Sequence, residues 1–546
     1  MLDVWMKSKA AGFARRYCLI EQNRMCKPDW CYPSMSKETN ELLRQCVNLP
    51  TVELSDDVEE IIRRSKEFPI PFPIETIRLE QLKVHRPIDR LKRNIVSTYP
   101  IIHERVLLLM THFLIYKREF GSPIEKVFYR DMTVIQFIDR ILQKRAVAFV
   151  GPQDKYMLMT GETGADGWEL VGTLQQKPPL VLENCLSYDE MKLSAMVFVS
   201  GYTECINNGS RKNSGVIQED NIEEEAVIIG FIGTRFKRKE RMEYEDILIT
   251  EQQNCLDNGY GEEVTPTTCL NVLKTTYVRN NQSAKHMWRQ MWSEFYQVHS
   301  YTYEELTSYV NIKDKSEDQR YLERYVKVEP EVIFDNEVYY RRLSVLAETT
   351  LFEAQARGSE AQRDVFLNVV GAGLGVWKVS HHQDDVYVLT FMERIRAFLK
   401  KDMLNNVTDV NFAYIKPGQS IDALFKNSDS GEESPKERRI FFESKRHPKG
   451  GINVQLENRE PASKLQGEHE GKLLVITYPW DSNAHPGNEF WFGSLETSGD
   501  PAAACSTQVS ELHNAHINAA LSGLNVRVAG RGGLNSLHDC CLALTA

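Results

Sequence analysis

LLVITYPWDSNAHPGNEFWFGSLETSGDPAAACSTQVSEL, residues 473–512, joins a short apolar run to a long polar loop. The run from Leu473 to Ile476 predicts a buried strand of a parallel sheet, because such strands are covered on both faces and read as continuous apolar residues. The loop that follows is punctuated by glycines, and α/β folds carry their chemistry on loops beyond the carboxyl ends of strands. The stretch therefore predicts an α/β fold with a nucleotide-handling site.

Polar side chains of this loop surround a turn at Pro486-Gly487. They are Asp481, Asn483, Asn488 and Glu489. Trp480 and Trp491 lie close to the two acids in the sequence, and apolar neighbours raise the pKa of a carboxylate by desolvating it, which suits acid–base chemistry. A solvated loop position or a salt bridge is the alternative for each acid.

Asp500-Pro501 predicts the start of a helix that continues through residues 502–512. Aspartate is a favoured N-cap and proline is favoured at the first helical position. Asp500 is then either a cap alone or a cap and a ligand, since a helix N-terminus also offers free N–H groups to an anion.

Helices and strands alternate over the last two hundred residues. Residues 344–362 and 389–401 predict helices, and residues 365–370, 409–415, 451–456 and 472–480 predict strands. This alternation indicates a parallel or mixed sheet that is covered on both faces, and ligands bind such sheets beyond the carboxyl ends of the strands.

A second glycine-rich loop, GAGLG, follows the strand predicted at 365–370. Gly371, Gly373 and Gly375 lack Cβ atoms, so their N–H groups can approach phosphate oxygens and wrap a diphosphate. The spacing departs from the GxGxxG dinucleotide fingerprint, and a tight strand exit is the alternative explanation.

The rest of the chain divides by pattern into three parts. Residues 1–55 predict a weakly ordered extension, residues 56–330 a helical and α+β accessory region, and residues 331–546 the α/β core. A polar, charged stretch within the core predicts an exposed insertion at about residues 425–450.

Composition excludes several classes of protein. The net charge of −10 argues against nucleic acid as a partner. No apolar run reaches the roughly 18–20 residues that a membrane helix needs, so we expect a cytoplasmic protein without a membrane partner. Cys18, Cys26, Cys31 and the distant His103 do not match zinc-ligand spacings, so no metal is expected there, and no cofactor is predicted.

Six motifs together resemble the MavL-like family, which was once called a domain of unknown function. The resemblance covers roughly residues 60–540. The specific motifs are YPWDSNAHPGNEFW (478–491) and SGDPAAACS (498–506), supported by GAGLGVW (371–377), KRAVAFVGPQDKYML (144–158), INNGSRKN (206–213) and IGFIGTRF (229–236).

The resemblance implies a fold and an activity. The family is similar to poly(ADP-ribose) glycohydrolase, so it implies a macrodomain-like three-layer α/β/α core, and its bacterial effector member removes ADP-ribose from arginine. The expected partners are ADP-ribose and an ADP-ribosylated protein substrate. The adjacent Gln-Glu-Glu of the true glycohydrolase is absent here, which puts activity on poly(ADP-ribose) chains in doubt.

The resemblance also implies residue roles. It assigns the catalytic acids, the residues that touch the ribose and turn around it, and the glycines that hold the diphosphate. These are respectively Asp481, Glu489 and Asp500; Asn483, Gly487 and Asn488; and Gly371, Gly373 and Gly375.

Two other functions remain open on the same residues. A non-catalytic ADP-ribose reader would use the acids only to bind hydroxyl groups. A metal-dependent hydrolase would use Asp481, Glu489 and Asp500 as oxygen ligands of Mg²⁺. A serine or cysteine nucleophile is disfavoured, because no GxSxG occurs and Cys505 lies inside the predicted helix.

Overall fold

The computed structural model describes residues 30–31, 35–50, 52–72, 74–151, 153–210, 213, 215–261, 272–312, 314–425, 438–480, 484–488, 491 and 508–546. Its helices are α1 (Lys37–Arg44), α2 (Val58–Glu67), α3 (Leu79–Leu82), α4 (Ile88–Val96), α5 (Glu104–Phe120), α6 (Pro123–Phe128), α7 (Val134–Gln143), α8 (Tyr188–Ser194), α9 (Tyr244–Ile247), α10 (Val272–Tyr296), α11 (Tyr303–Tyr309), α12 (Asn336–Ala361), α13 (His382–Leu399), α14 (Gln419–Asp422) and α15 (Leu537–Thr545). Within those ranges, no helix combines the length and hydropathy of a membrane span.

The strands are β1 (Tyr99–His103), β2 (Ala148–Val150), β3 (Lys155–Met157), β4 (Thr163–Gly164), β5 (Phe198–Glu204), β6 (Glu225–Phe231), β7 (Leu248–Ile249), β8 (Tyr325–Glu329), β9 (Val332–Asp335), β10 (Val365–Val370), β11 (Val407–Ala413), β12 (Arg439–Glu443), β13 (Gly451–Leu456), β14 (Leu473–Pro479), β15 (Arg527–Gly530) and β16 (Gly533–Ser536). Ten of these described strands form one sheet in the order β12-β13-β11-β10-β14-β6-β5-β1-β15-β16. Its centre is parallel, whereas β5 and the edge strands β12 and β16 run antiparallel to their neighbours. The predicted α/β fold with a mixed sheet is confirmed.

Strand β10 shows why the sheet is covered on both faces. Val365 and Leu367 are buried in the hydrophobic core that contains Leu346 of α12, whereas Phe366 is buried in a second core with Ile62 of α2. Successive side chains of a strand point to opposite faces of the sheet. An apolar strand therefore buries all of its side chains only when helices pack on both faces.

Helix α12 begins eight residues before the helix predicted from the apolar pattern. Asp335 caps it by accepting hydrogen bonds from the N–H groups of Glu337 and Val338. Gln362 ends it in a left-handed conformation, with φ of +51°. The apolar periodicity located the body of the helix, and the capping carboxylate decided its start.

The large sheet takes strands from both sides of residue 330. β1, β5 and β6 precede that position, and they lie beside β14 and β15. Within the expected N-terminal extension, residues 37–44 form α1 and bury Leu43 completely. Within the expected insertion, residues 426–437 lie outside the described residues, and residues 439–443 form the edge strand β12.

Candidate active site

Five parallel strands end together at one edge of the sheet. β13, β11, β10, β14 and β6 are consecutive parallel neighbours. The loop after β10, with its three glycines, is therefore next to the loop after β14, which carries the predicted acids. Ligands of open α/β sheets bind outside the carboxyl ends of such strands.

The glycine loop packs directly on the backbone that follows β6. Gly373 has a φ of +73°, and a Cβ built there would lie 2.6 Å from the carbonyl oxygen of Thr234. A Cβ on Gly233 would lie 2.2 Å from the carbonyl carbon of Ala372. Both the left-handed conformation and the backbone contact therefore require glycine.

Gly375 has a different environment. It is exposed, and a Cβ built there meets no atom within 4 Å among the described residues. Neither packing against the described residues nor a positive φ accounts for a glycine at this position. The space beside its backbone that the described residues leave open is suited to the close approach of a ligand.

The start of the glycine loop is anchored to β14 and α13. The Val370 N–H donates to the hydroxyl of Thr477 at 3.0 Å, and the Tyr387 hydroxyl donates to the Val370 carbonyl at 3.0 Å. These bonds tie the loop to the strand that leads into the predicted catalytic loop.

Two buried asparagines connect β10, β11 and the residue after β13. The side-chain amide of Asn411 donates to Oδ1 of Asn368 at 2.9 Å and to the Glu457 carbonyl at 2.9 Å. Nδ2 of Asn368 is fully buried and has no hydrogen-bond partner in the described part of the chain. This pair was not predicted from the sequence, although each asparagine is a polar residue within an apolar strand, which is a visible signal.

The predicted catalytic acids lie outside the described residues. These acids are Asp481, Glu489 and Asp500; the predicted ribose ligand Asn483 and the disfavoured nucleophile Cys505 also lie outside those residues. Of the proposed ligand residues in the same loop, Gly487 forms the expected turn with a φ of +81°, and Asn488 is fully buried. The roles of all these residues stay predictions.

The described parts of this loop are held at three points. Trp480 donates its backbone N–H to the Phe231 carbonyl at 3.2 Å, which extends the pairing with β6. The His485 N–H donates to the Ala146 carbonyl at 2.8 Å. The indole N–H of Trp491 donates to the Pro71 carbonyl at 3.2 Å. The loop is thus attached to the sheet, to the segment that leads into β2 and to the segment after α2.

The chain after the loop is fixed by a buried carboxylate. Glu511 lies in a π-helical turn, Gln508–Leu512, and accepts from the Leu79 N–H at 2.7 Å and from the Ser65 hydroxyl at 2.5 Å. Burial raises the pKa of Glu511. Residues from α2 and α3 therefore hold the segment that follows Asp500.

Two histidines beside the loop are buried and held neutral. Burial lowers the pKa of His513 to about 3, and it lowers the pKa of His485 well below its usual range. The Tyr478 hydroxyl lies 3.1 Å from Nδ1 of His513. At neutral pH an imidazole with so low a pKa is uncharged, so it is not available as a general acid and is a weak base, and the predicted acids remain the candidates for acid–base chemistry.

A polar cavity of about 470 Å³ lies beyond the carboxyl ends of β11 and β13. Lys416 and Pro417 follow β11, and Asn458 follows β13; all three line it. Asn458 also accepts a hydrogen bond from the Tyr414 N–H at 2.8 Å. The cavity therefore continues the same edge of the sheet, on the side away from β14.

The ranges covered by the structure contain no group of three or more His, Cys, Asp or Glu side chains that could hold an ion. His103 is buried, with Nε2 lying 3.0 Å from a carboxylate oxygen of Glu348. The three acids of the magnesium alternative lie outside these ranges.

The chain is similar to one protein family and to two curated proteins over most of its length. The family model described as ADP-ribosylhydrolase MavL-like matches residues 59–542. The chain is 38% identical over 502 residues to the ADP-ribosylarginine hydrolase CG3568 of Drosophila melanogaster, an alignment that covers 90% of this chain and 89% of the relative. It is 36% identical over 503 residues to the ADP-ribosylarginine hydrolase CG2909 of the same organism, with 91% and 92% covered. The chain belongs to the MavL-like ADP-ribosylhydrolase family.

Proposed function

We propose that this protein hydrolyses the N-glycosidic bond between ADP-ribose and arginine side chains of proteins. The observation that carries the proposal is the near full-length similarity to two proteins named ADP-ribosylarginine hydrolases. The adjacent loops after β10 and β14 support it, because they bring a glycine loop and an acidic loop to one edge of the sheet.

The order of the strands supports one proposed direction for ADP-ribose along this edge. We place the diphosphate on the glycine loop after β10 and the distal ribose on the loop after β14. The adenosine end then extends the opposite way, over β11 and β13. The distance from β10 to β13 is two strand spacings, or about 10 Å, so the adenosine reaches the cavity lined by Lys416 and Asn458. A macrodomain-like core is part of this proposal.

The chemistry requires carboxylates near the anomeric carbon. Cleavage of the bond builds oxocarbenium character on the ribose, which a nearby carboxylate stabilises, while another carboxylate orients or deprotonates water. A guanidinium group pairs bidentately with a carboxylate, so a third acid can hold the arginine. We assign these roles jointly to Asp481, Glu489 and Asp500.

The first experiment offers the purified protein three substrates, ADP-ribosylated through arginine, through an acidic side chain or through serine, with and without EDTA. We expect release of ADP-ribose from the arginine-linked substrate only, unaffected by EDTA. Binding of ADP-ribose without any release would indicate a reader, and loss of activity in EDTA would favour the metal-dependent hydrolase.

The second experiment removes the charge of each acid in turn. Asp481→Asn, Glu489→Gln and Asp500→Asn should each lower kcat at least about 100-fold, because electrostatic stabilisation of the transition state is lost. Glu470→Gln is the matched control, since Glu470 is exposed and precedes the amino end of β14. Circular dichroism should show all four variants folded; full activity in the three acid variants would refute the assignment.

A further inference from the structure

We propose that the cations of residues 237–241 form a docking surface for acidic residues that flank the modified arginine in the protein substrate. This inference rests on the proposed function. The basic rim is defined here as Lys237, Arg238, Lys239 and Arg241, which belong to the sequence TRFKRKER after β6.

The basic rim borders the candidate active site on two sides. At one end, Nζ of Lys237 lies 5.5 Å from the ring centre of Trp377, which closely follows the glycine loop. At the other end, the guanidinium of Arg238 lies 3.6 Å from the carboxylates of Asp154 and Asp166, in the region of the small sheet β2-β3-β4.

That small sheet is itself joined to the predicted catalytic loop. Ala146, two residues before β2, forms a β-bridge with Ala484. The basic rim therefore extends from the glycine loop to the structure that supports the acidic loop. In the proposed binding mode, residues that flank the modified arginine therefore come near the rim.

Three of the four cations of the rim are exposed and form no salt bridge with another described residue. In the described structure, the salt bridges of residues 234–241 are made by Arg235 and Arg238. Lys237, Lys239 and Arg241 are exposed. Glu240 is also exposed, so the three exposed cations outnumber the one exposed acid within residues 237–241. On a chain of net charge −10, this local excess of positive charge attracts acidic residues and repels basic ones.

The direction proposed for ADP-ribose indicates that the basic rim faces the substrate protein and not the nucleotide. The adenosine end extends from β10 towards β13, whereas the arginine leaves on the side of β14 and β6. The rim follows β6, so it lies on the side where the substrate protein would bind and away from the adenosine.

The test uses two peptides of equal length, each with one ADP-ribosylated arginine, flanked either by glutamates or by lysines, and free ADP-ribosyl-arginine as a third substrate. The unaltered protein should cleave the glutamate peptide with a kcat/KM about tenfold above that of the lysine peptide at low ionic strength. The preference should shrink in about 0.5 M salt, because salt screens exposed charges.

The variant K237E/K239E/R241E should reverse that preference and cleave free ADP-ribosyl-arginine as the unaltered protein does. The matched control K400E/K401E/K445E makes the same change in net charge at exposed lysines near the opposite edge of the sheet, after α13 and between β12 and β13. It should retain the original preference.

Three results would overturn the proposal. They are an unaltered protein that cleaves both peptides equally, a control variant that loses the preference as fully as the rim variant, and a rim variant that binds ADP-ribose about tenfold more weakly. The last result would assign the lysines to the diphosphate. Failure of the unaltered protein to cleave free ADP-ribosyl-arginine and both peptides would instead refute the proposed function.

Discussion

Two glycines of the same loop should respond in opposite ways to the same added methyl group. In Gly373→Ala, the new Cβ would lie 2.6 Å from the Thr234 carbonyl oxygen, at a residue with φ of +73°. The left-handed conformation costs about 1–2 kcal/mol, and the forced backbone shift costs about 1–3 kcal/mol. We therefore expect Gly373→Ala to lower the free energy of unfolding by about 3 kcal/mol.

Gly375→Ala should leave the free energy of unfolding unchanged or raise it by up to about 1 kcal/mol. Its Cβ meets no described atom within 4 Å, and alanine restricts the unfolded chain more than glycine does. Its affinity for ADP-ribose should nevertheless fall at least about tenfold, because the methyl group occupies the space through which phosphate oxygens approach the backbone.

Urea unfolding measures the first quantity, and isothermal titration calorimetry with ADP-ribose measures the second. A Gly373→Ala protein as stable as the unaltered one would refute the backbone contact between the glycine loop and the loop after β6. A Gly375→Ala protein with unaltered affinity would refute the placement of the diphosphate on this loop.

Two further predictions concern buried carboxylates. Glu511→Ala should lower the free energy of unfolding by about 3 kcal/mol in urea, since it leaves the Leu79 N–H and the Ser65 hydroxyl without their buried acceptor; an unchanged midpoint would contradict this role. Burial raises the pKa of Asp385 from 3.8 to about 7, although the Gly418 N–H donates to it, so the folded protein holds a proton there that the unfolded chain releases. As the pH rises from about 4 to about 7, ionisation of Asp385 in the unfolded chain therefore lowers the free energy of unfolding, and Asp385→Asn should gain up to about 4 kcal/mol over the unaltered protein across that range. Parallel pH profiles of unfolding for the two proteins would disprove it.

Local patterns were sufficient to predict the elements of the α/β core. The prediction for residues 451–456 coincides with β13, and the predicted strand at 472–480 differs from β14 by one residue at each end. The strand predicted at 409–415 is shifted two residues towards the C-terminus relative to β11. A buried parallel strand is a short apolar run with clear limits, so its own sequence identifies it.

The start of α13 was predicted less well. It begins at His382, seven residues before the predicted start. Its first turns contain Asp384 and Asp385, which are buried against the loop before α14 and the lysine Lys378. The apolar pattern cannot locate a helix start whose buried residues are charged, because their partners come from other segments.

For the candidate site, the sequence alone predicted the glycine loop, the turn at Gly487 and the family. Only the tertiary structure decided which strands and side chains are neighbours in the site. It placed β10 beside β14, joined Asn368 to Asn411, and connected Glu511 to Leu79, a residue 432 positions earlier.

The physical reason for this division is the range of the interactions. Helix and strand periodicity, turn glycines and motif spacing depend on residues close in the chain, so the sequence by itself determined the α/β class and the family resemblance. The pairing of β6 with β14 brings together segments more than two hundred residues apart, and it depends on which buried faces and backbone groups satisfy each other. Only the tertiary structure could therefore decide that the basic rim after β6 borders the glycine loop after β10.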